Sequence, residues 1–369
     1  MSHRILVDCH VFDDLFQGTR TYLRGLYTSV AKSFPDTTLY LAAKNLDSLR
    51  EEFPDLENIH LIQLNSTKRF ERYLYEFPKL AKEYEVDFVH FQYVVSPLIK
   101  ARTINTVHDV LFLNYPKDYP FHVRTMRGLL YGISAKICNI LITDSRFSKK
   151  SISRFFKIKQ SKINDIPLGI NEDFTNLDKT KVAPIIDKYK IREKYLLFVS
   201  RIEPRKNHAE LIRAFNRLEL HNEYDLVLIG KRALDSVQLN QALSEISKDC
   251  EERIFFLESI PYSDLVSFYR HCRLFVYPSF SEGFGLPPLE AACLGVPVIC
   301  SNTTSLEDYT FFGKYHIDIN EAGSLEAAIK DAVENPISVE KVEEIRQTVL
   351  KTYSWETIGK QFHNLLTAH

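Results

Sequence analysis

Short apolar runs alternate with longer amphipathic stretches along most of this chain, once over residues 4–156 and again from residue 195 onward. Compact apolar runs bounded by turn residues have the length of strands, and the stretches between them carry helical spacing. In the first half the pattern predicts strands at Arg4–Asp8, Thr38–Ala42, His60–Gln63, Phe88–Phe91, Asn105–His108 and Ile140–Asp144. Helices are expected at Thr19–Ser33, Phe70–Tyr84, His122–Cys138 and Arg146–Phe156. In the second half strands fall at Tyr195–Ser200, Asp225–Gly230, Ile254–Leu257, Leu274–Tyr277 and Val296–Cys300. Helices there cover Asn207–Leu218, Leu239–Lys248 and Tyr262–Cys272, with others from Leu325, Val339 and Trp355. Strand–helix alternation of this kind predicts an α/β protein with parallel sheets covered on both faces. The series breaks between Pro167 and Ile191, which divides the chain into Rossmann-like domains at 1–168 and 169–352. Such domains, with strand ends facing a shared cleft, would bind a nucleotide-linked substrate on one side and an acceptor on the other.

A chain of 369 residues is long enough for two average domains, and 45% hydrophobic with 26% charged residues excludes wholesale disorder. No uncharged apolar run is long enough for a membrane-spanning helix, and the first residues enter a strand without a signal-peptide layout. The six cysteines form no Cys-x-x-Cys pair, so reduced core thiols in a cytosolic protein are expected. The net charge of −1 conceals an asymmetry, because Arg124–Lys162 holds ten Lys or Arg and one acid, Asp144. That run is either a solvated helical face or a surface drawn to anionic lipid or pyrophosphate, and the chain as a whole is not basic enough to favour nucleic acid.

The densest candidate chemistry lies in Pro278–Gly295. A buried strand ends at Pro278, Gly283 and Gly285 are expected to permit positive φ, and Pro287 and Pro288 suit the first turn of a helix closed by Gly295. This sets Glu282 on a turn and Glu290 one turn inside a helix, at a strand's carboxyl end, where open α/β sheets bind ligands. A second cluster, Ser200–His208, puts Arg201, Arg205 and Lys206 just before a helix, as a pyrophosphate site or as a solvated loop paired to Glu203 and Glu210. Gln17-Gly18-Thr19 enters another helix with one glycine, suited to an anion or simply to a turn, and it lacks the dinucleotide fingerprint. His108-Asp109 ends an apolar strand, where the pair could bind hydroxyls, donate a proton or merely satisfy itself. No histidine spacing suggests a metal.

Together these residues resemble the retaining, nucleotide-sugar-dependent glycosyltransferases of family 4, of GT-B fold. The Glu-x7-Glu motif of that family corresponds to Glu282–Glu290, its Arg-x4-Lys pair to Arg201 and Lys206, and its His-Asp strand end to His108-Asp109. Ile140–Ile170 is similar to the family's linker region, and the Trp355 helix (about 353–369) to the final helix that crosses back to the first domain. The resemblance implies that Arg201 and Lys206 hold the donor diphosphate and that Glu290 accepts from the ribose. It also implies that Glu282, with Gly283, Phe284, Gly285 and Leu286, positions the donor sugar, that Ile260 lies at the base-recognition turn, that His108 contacts the sugar from the opposite domain, and that Gly18 gives the diphosphate room.

The chain departs from the family pattern in three places. Its first-domain loop has one glycine instead of two or three, the base turn reads Glu258-Ser259-Ile260 instead of Gly-x-Val, and Glu307-Asp308 replaces Pro-Glu. The implied activity is transfer of a hexose, foremost mannose from GDP-mannose and next a sugar from UDP or dTDP, to a polyprenyl-diphosphate-linked or other glycan in bacterial surface polysaccharide synthesis. The resemblance implies no metal or other cofactor. The basic run with Leu129, Leu130, Ile133 and Ile137 suggests a cytoplasmic protein that meets the inner face of the membrane. A nucleotide-sugar epimerase of the same architecture and a non-catalytic assembly subunit are the alternatives. The first would form product without acceptor, and the second would keep its function after loss of Glu282.

Overall fold

The computed structural model describes residues 2–13, 18–66, 68–175, 185–233 and 236–369. Gln17 and part of the segment joining the two halves lie outside the described residues. The chain forms two units, Met1–Gly169 with Tyr353–His369, and Ile170–Thr352.

The first unit has seven strands: β1 (Arg4–Asp8), β2 (Thr38–Ala43), β3 (Ile59–Gln63), β4 (Phe88–Gln92), β5 (Arg102–Thr106), β6 (Ile140–Thr143) and β7 (Ile163–Asp165). They pair in parallel in the order β3-β2-β1-β4-β5-β6-β7. The second unit has β8 (Tyr195–Val199), β9 (Asp225–Ile229), β10 (Ile254–Leu257), β11 (Leu274–Tyr277), β12 (Val298–Ser301) and β13 (His316–Ile317). Its order is β10-β9-β8-β11-β12-β13, again parallel throughout. Strands β4, β6, β9 and β11 are buried at every position, which is why apolar residues dominate them, with His90, Gln92 and Asp225 among the exceptions. In each sheet the strand order reverses once, between β1 and β4 and between β8 and β11. A reversal leaves a crevice at the carboxyl ends of the two strands.

The last helix, Trp355–Thr367, packs on the first, Gly18–Ser33, and Trp355, Ile358, Phe362 and Leu366 complete the first unit's core. The indole of Trp355 fills space left by Gly25 and Gly169, and a methyl group at either glycine would overlap it. His363 stacks on Phe34 at 3.7 Å.

The structure revises several expected elements. The strand expected at Asn105–His108 runs instead over Arg102–Thr106, because Arg102 and Thr103 take up the ladder with Phe88 and Val89 of β4. His108 and Asp109 therefore sit in the turn beyond it. The helix expected over Phe70–Tyr84 is broken into Arg69–Glu71, a π-helical turn at Arg72–Glu76 and Phe77–Glu83. Pro78 has no N–H to give the preceding turn and its ring crowds that turn's carbonyl, so the helix widens just ahead of it. Strands β7 and β13 are too short for an apolar run to announce them. Gly285 takes positive φ (95°), whereas Gly283 does not. The six cysteines are unpaired, and all but Cys138 are buried.

Candidate active site

In the second unit, the loops leaving β8 and β11 face each other across the reversal of strand order. From β8 the chain runs through Ser200–Glu203 into a turn of 3-10 helix, Pro204–Lys206, and then the helix His208–Arg217. From β11 it enters the turn Pro278–Gly285 and the helix Leu286–Cys293. The Lys206 ammonium lies 2.5 and 2.7 Å from the two carboxylate oxygens of Glu282, and the Tyr277 hydroxyl donates to the same carboxylate at 2.9 Å. Lys206 and Glu282 are both buried. Arg205 adds a second cation, reaching Glu282 at 3.4 Å and donating to the Ser281 carbonyl at 2.7 Å.

Burial works to raise the Glu282 carboxyl, but Lys206 and Arg205 outweigh it and hold the group below the usual carboxylate range. Burial also depresses the Lys206 ammonium, against the opposing pull of Glu282. The Arg201 side chain differs, being 68% exposed and 3.3 Å from Glu203, so of the two cations expected to act together one is buried and one reaches solvent.

The turn that carries Glu282 is held from β12's side. Its amide donates to the Thr304 hydroxyl at 2.9 Å, and the Ser305 hydroxyl donates to the carbonyls of Glu282 and Phe284. The Tyr309 hydroxyl reaches the carbonyls of Phe284 and Gly285. A side chain at Gly285 would also collide with Leu306. Glu290 is half-buried and accepts from the Tyr269 hydroxyl at 2.8 Å; burial pushes its carboxyl up to about 7. Leu286 opens the helix that carries Glu290, while Ile260 lies half-buried after β10.

In the first unit, His108 is buried and its Nδ1 stands 2.7 Å from Asp144, at the end of β6. Burial disfavours the imidazolium, yet Asp144 overcomes it and raises the His108 pKa. The partner is thus Asp144 and not the adjacent Asp109, whose carboxylate accepts from the Leu111 amide at 2.9 Å. The other ring nitrogen, Nε2, is buried without a hydrogen-bond partner. Gly18 opens its helix, and among the described residues a side chain there would touch nothing.

Sequence reasoning overlooked Tyr277, Tyr269, Thr304, Ser305 and Tyr309. Each is a hydroxyl that supports a carboxylate or a turn, and only Tyr277, four residues before Ser281 at a strand end, stood close enough in sequence to have been noticed. Arg205 was visible as one of three cations, but its contact with Glu282 was not.

Two doubly wound units, one with carboxylates and cations gathered at a strand-order reversal, define a GT-B fold. Solved structures share it: a glycosyltransferase from Rickettsia africae has a TM-score of 0.73 and 18% identity over 99% of this chain and 97% of that one. Anabaena HepE, in complex with UDP-glucose, has a TM-score of 0.71 and 16% identity over the whole of both chains. Residues 183–350 match the family model for group 1 glycosyl transferases, so the second unit carries a domain of that group. It is 29% identical over 355 residues to O-antigen chain mannosyltransferase B of Escherichia coli, covering 91% of each chain.

Proposed function

We propose that this chain transfers mannose from GDP-mannose, with retention of configuration, to a glycan or lipid-linked oligosaccharide during bacterial surface polysaccharide synthesis. The observation that carries this reading is the buried Lys206–Glu282 pair across the β8/β11 reversal. A lysine kept beside a carboxylate, with Arg205 close and Arg201 reaching solvent, suits a site that receives a diphosphate. Similarity to an O-antigen mannosyltransferase along 91% of both chains supports the sugar and the pathway class, and a neighbour of the same fold crystallised with UDP-glucose supports a nucleotide-sugar donor.

In this scheme Arg201 and Lys206 hold the diphosphate and neutralise the charge that grows as it departs. Glu290 accepts from the ribose hydroxyls. Glu282 orients the donor sugar together with the Gly283–Gly285 turn. The acceptor oxygen attacks the anomeric carbon on the face the phosphate leaves. The new C–O bond forms as the sugar–phosphate bond breaks, and the acceptor proton passes to the departing phosphate oxygen. The cations do the work a metal would otherwise do, and no cofactor enters the scheme. The acceptor is a polyprenyl-diphosphate-linked glycan met at the cytoplasmic face of the membrane.

The test is thermal unfolding in the presence of GDP-, UDP-, dTDP- and ADP-sugars. GDP-mannose should give the largest rise, since a ligand at about a hundred times its Kd stabilises by about 2.7 kcal/mol. A rise with UDP-sugars and none with GDP-mannose would overturn the donor assignment. Turnover of donor into an epimer without any acceptor would overturn transfer itself.

A further inference from the structure

The helix Phe121–Ile137 presents large apolar side chains to solvent on its outer side. Met126 is 58% exposed, Leu129 65%, Leu130 43%, Ile133 49% and Ile137 48%. Their spacing of three, one, three and four residues draws one stripe along the helix, while Gly132 and Ala135 face away from it and are buried. The stripe does not end on a flat surface. Leu130, Ile133 and Ile137 form one wall of an apolar cavity of about 580 Å³, whose other walls include Phe70, Leu74 and Val95. Among the described residues Arg69 is the one charged group lining it, and Tyr73 also lines it, with its hydroxyl donating to Asp8 at the end of β1.

The same helix carries Arg124 and Arg127 among the apolar positions, with Lys136 near its end. At that end a second cavity, also about 580 Å³, is lined by Lys136, Lys157, Lys159 and Lys162 together with Asn139 and Asn164. Among the described residues no Asp or Glu side chain lines either cavity, and the last residue, His369, also lines the second.

An apolar stripe beside an apolar cavity, bordered by cations at both ends, admits few partners. A second copy of this chain would bring the same arginines and lysines against themselves, because a twofold contact pairs a face with its own copy. We propose that this face docks on an anionic lipid bilayer, with the stripe entering the acyl boundary, one lipid hydrocarbon chain occupying the apolar cavity and phosphate head groups meeting the lysine cavity. Interfacial helices bind through this combination of buried apolar area and attraction to anionic lipid. The inference rests on the reading of the acceptor as membrane-borne and gives that encounter a location in the first unit.

The experiment is flotation of the full chain with phosphatidylcholine vesicles, with and without phosphatidylglycerol. The wild type should float with the anionic vesicles and remain behind with the neutral ones. The triple variant Met126→Ser, Leu129→Ser, Ile133→Ser should bind at least about tenfold more weakly. Arg124→Ala with Arg127→Ala should weaken binding by about fivefold per arginine and flatten its dependence on salt. All three triple-variant positions are exposed, so an unchanged melting transition and unchanged transfer to a water-soluble acceptor show that fold and chemistry survive. Wild-type protein that ignores anionic vesicles, or a triple variant that binds as well as wild type, overturns the proposal. Self-association abolished by the triple variant, without vesicle binding, makes the face a contact between copies and equally overturns it. Retained transfer to the soluble acceptor in any of these cases leaves the glycosyltransferase reading intact.

Discussion

At the β8/β11 reversal the buried groups are an ammonium and a carboxylate in direct contact, whereas at β1/β4 much of the buried polarity is neutral. His90 in β4 bonds Tyr27 through Nδ1 at 2.5 Å and Thr106 through Nε2 at 2.8 Å, and Tyr22 reaches the same threonine at 3.1 Å. Burial drives His90 down to about 3, so the imidazole is uncharged at neutral pH. Charge in the first unit is pushed to either side of this network, to Asp8 with His10 and to His108 with Asp144. The two sheets share a topology, and the comparison shows how little of the chemistry topology decides. A strand-order reversal supplies a crevice, and the side chains at its rim set whether the crevice is charged before a ligand arrives.

The comparison breaks most sharply at Lys206. Lys206→Ala leaves Glu282 buried without its closest cation and should cost about 3–5 kcal/mol in urea unfolding. Lys206→Met combined with Glu282→Leu should regain most of that stability while donor binding, read by calorimetry, stays lost. A single mutant as stable as wild type would mean that the pair is not held out of water. In the first unit the corresponding change is smaller. Tyr27→Phe strips one hydrogen bond from a buried imidazole and should cost about 1–3 kcal/mol. A cost equal to that of Lys206→Ala would erase the distinction between a charged and a neutral crevice.

A further effect concerns pH. The Glu290 carboxyl titrates at about 7 in the folded chain, above its ordinary 4.5, so the native state keeps this proton where the unfolded state has lost it. Its contribution to stability is therefore complete at low pH and fades as pH rises from about 4.5 through 7. Donor affinity should move the other way, strengthening as the carboxylate forms to accept ribose hydroxyls. Glu290→Gln should remove both trends, which stability curves and donor titrations across that range would read. A pH dependence that survives Glu290→Gln would assign it to another group.

Much of the fold was legible because a buried parallel strand is mostly apolar, and β1, β2, β6 and β9 each hold an unbroken apolar run. Where that rule loosens, the reading slipped. β5 begins with Arg102 and Thr103, whose polar character is absorbed by an exposed end and by Asn139. The break at Arg72–Glu76 follows from Pro78, a local signal that helical periodicity outweighed in the reading. Glu282, Glu290, Lys206 and His108 could be picked out because charged residues at strand ends beside glycines or prolines are costly without a purpose. Their partners could not, since Tyr277, Tyr269 and Asp144 look like ordinary core or surface residues until the strands lie side by side.

The sequence by itself determined two α/β units, the strands of their sheet centres and the carboxylates and cations at their carboxyl ends, because burial and turn chemistry leave local marks on the chain. Tertiary structure alone decided that Lys206 meets Glu282, that His108 turns to Asp144 instead of Asp109, and that the Trp355 indole fills the space beside Gly25 and Gly169. Those contacts join residues between 36 and more than 300 positions apart. No local pattern encodes such distances, and only the order of strands in a sheet brings them together.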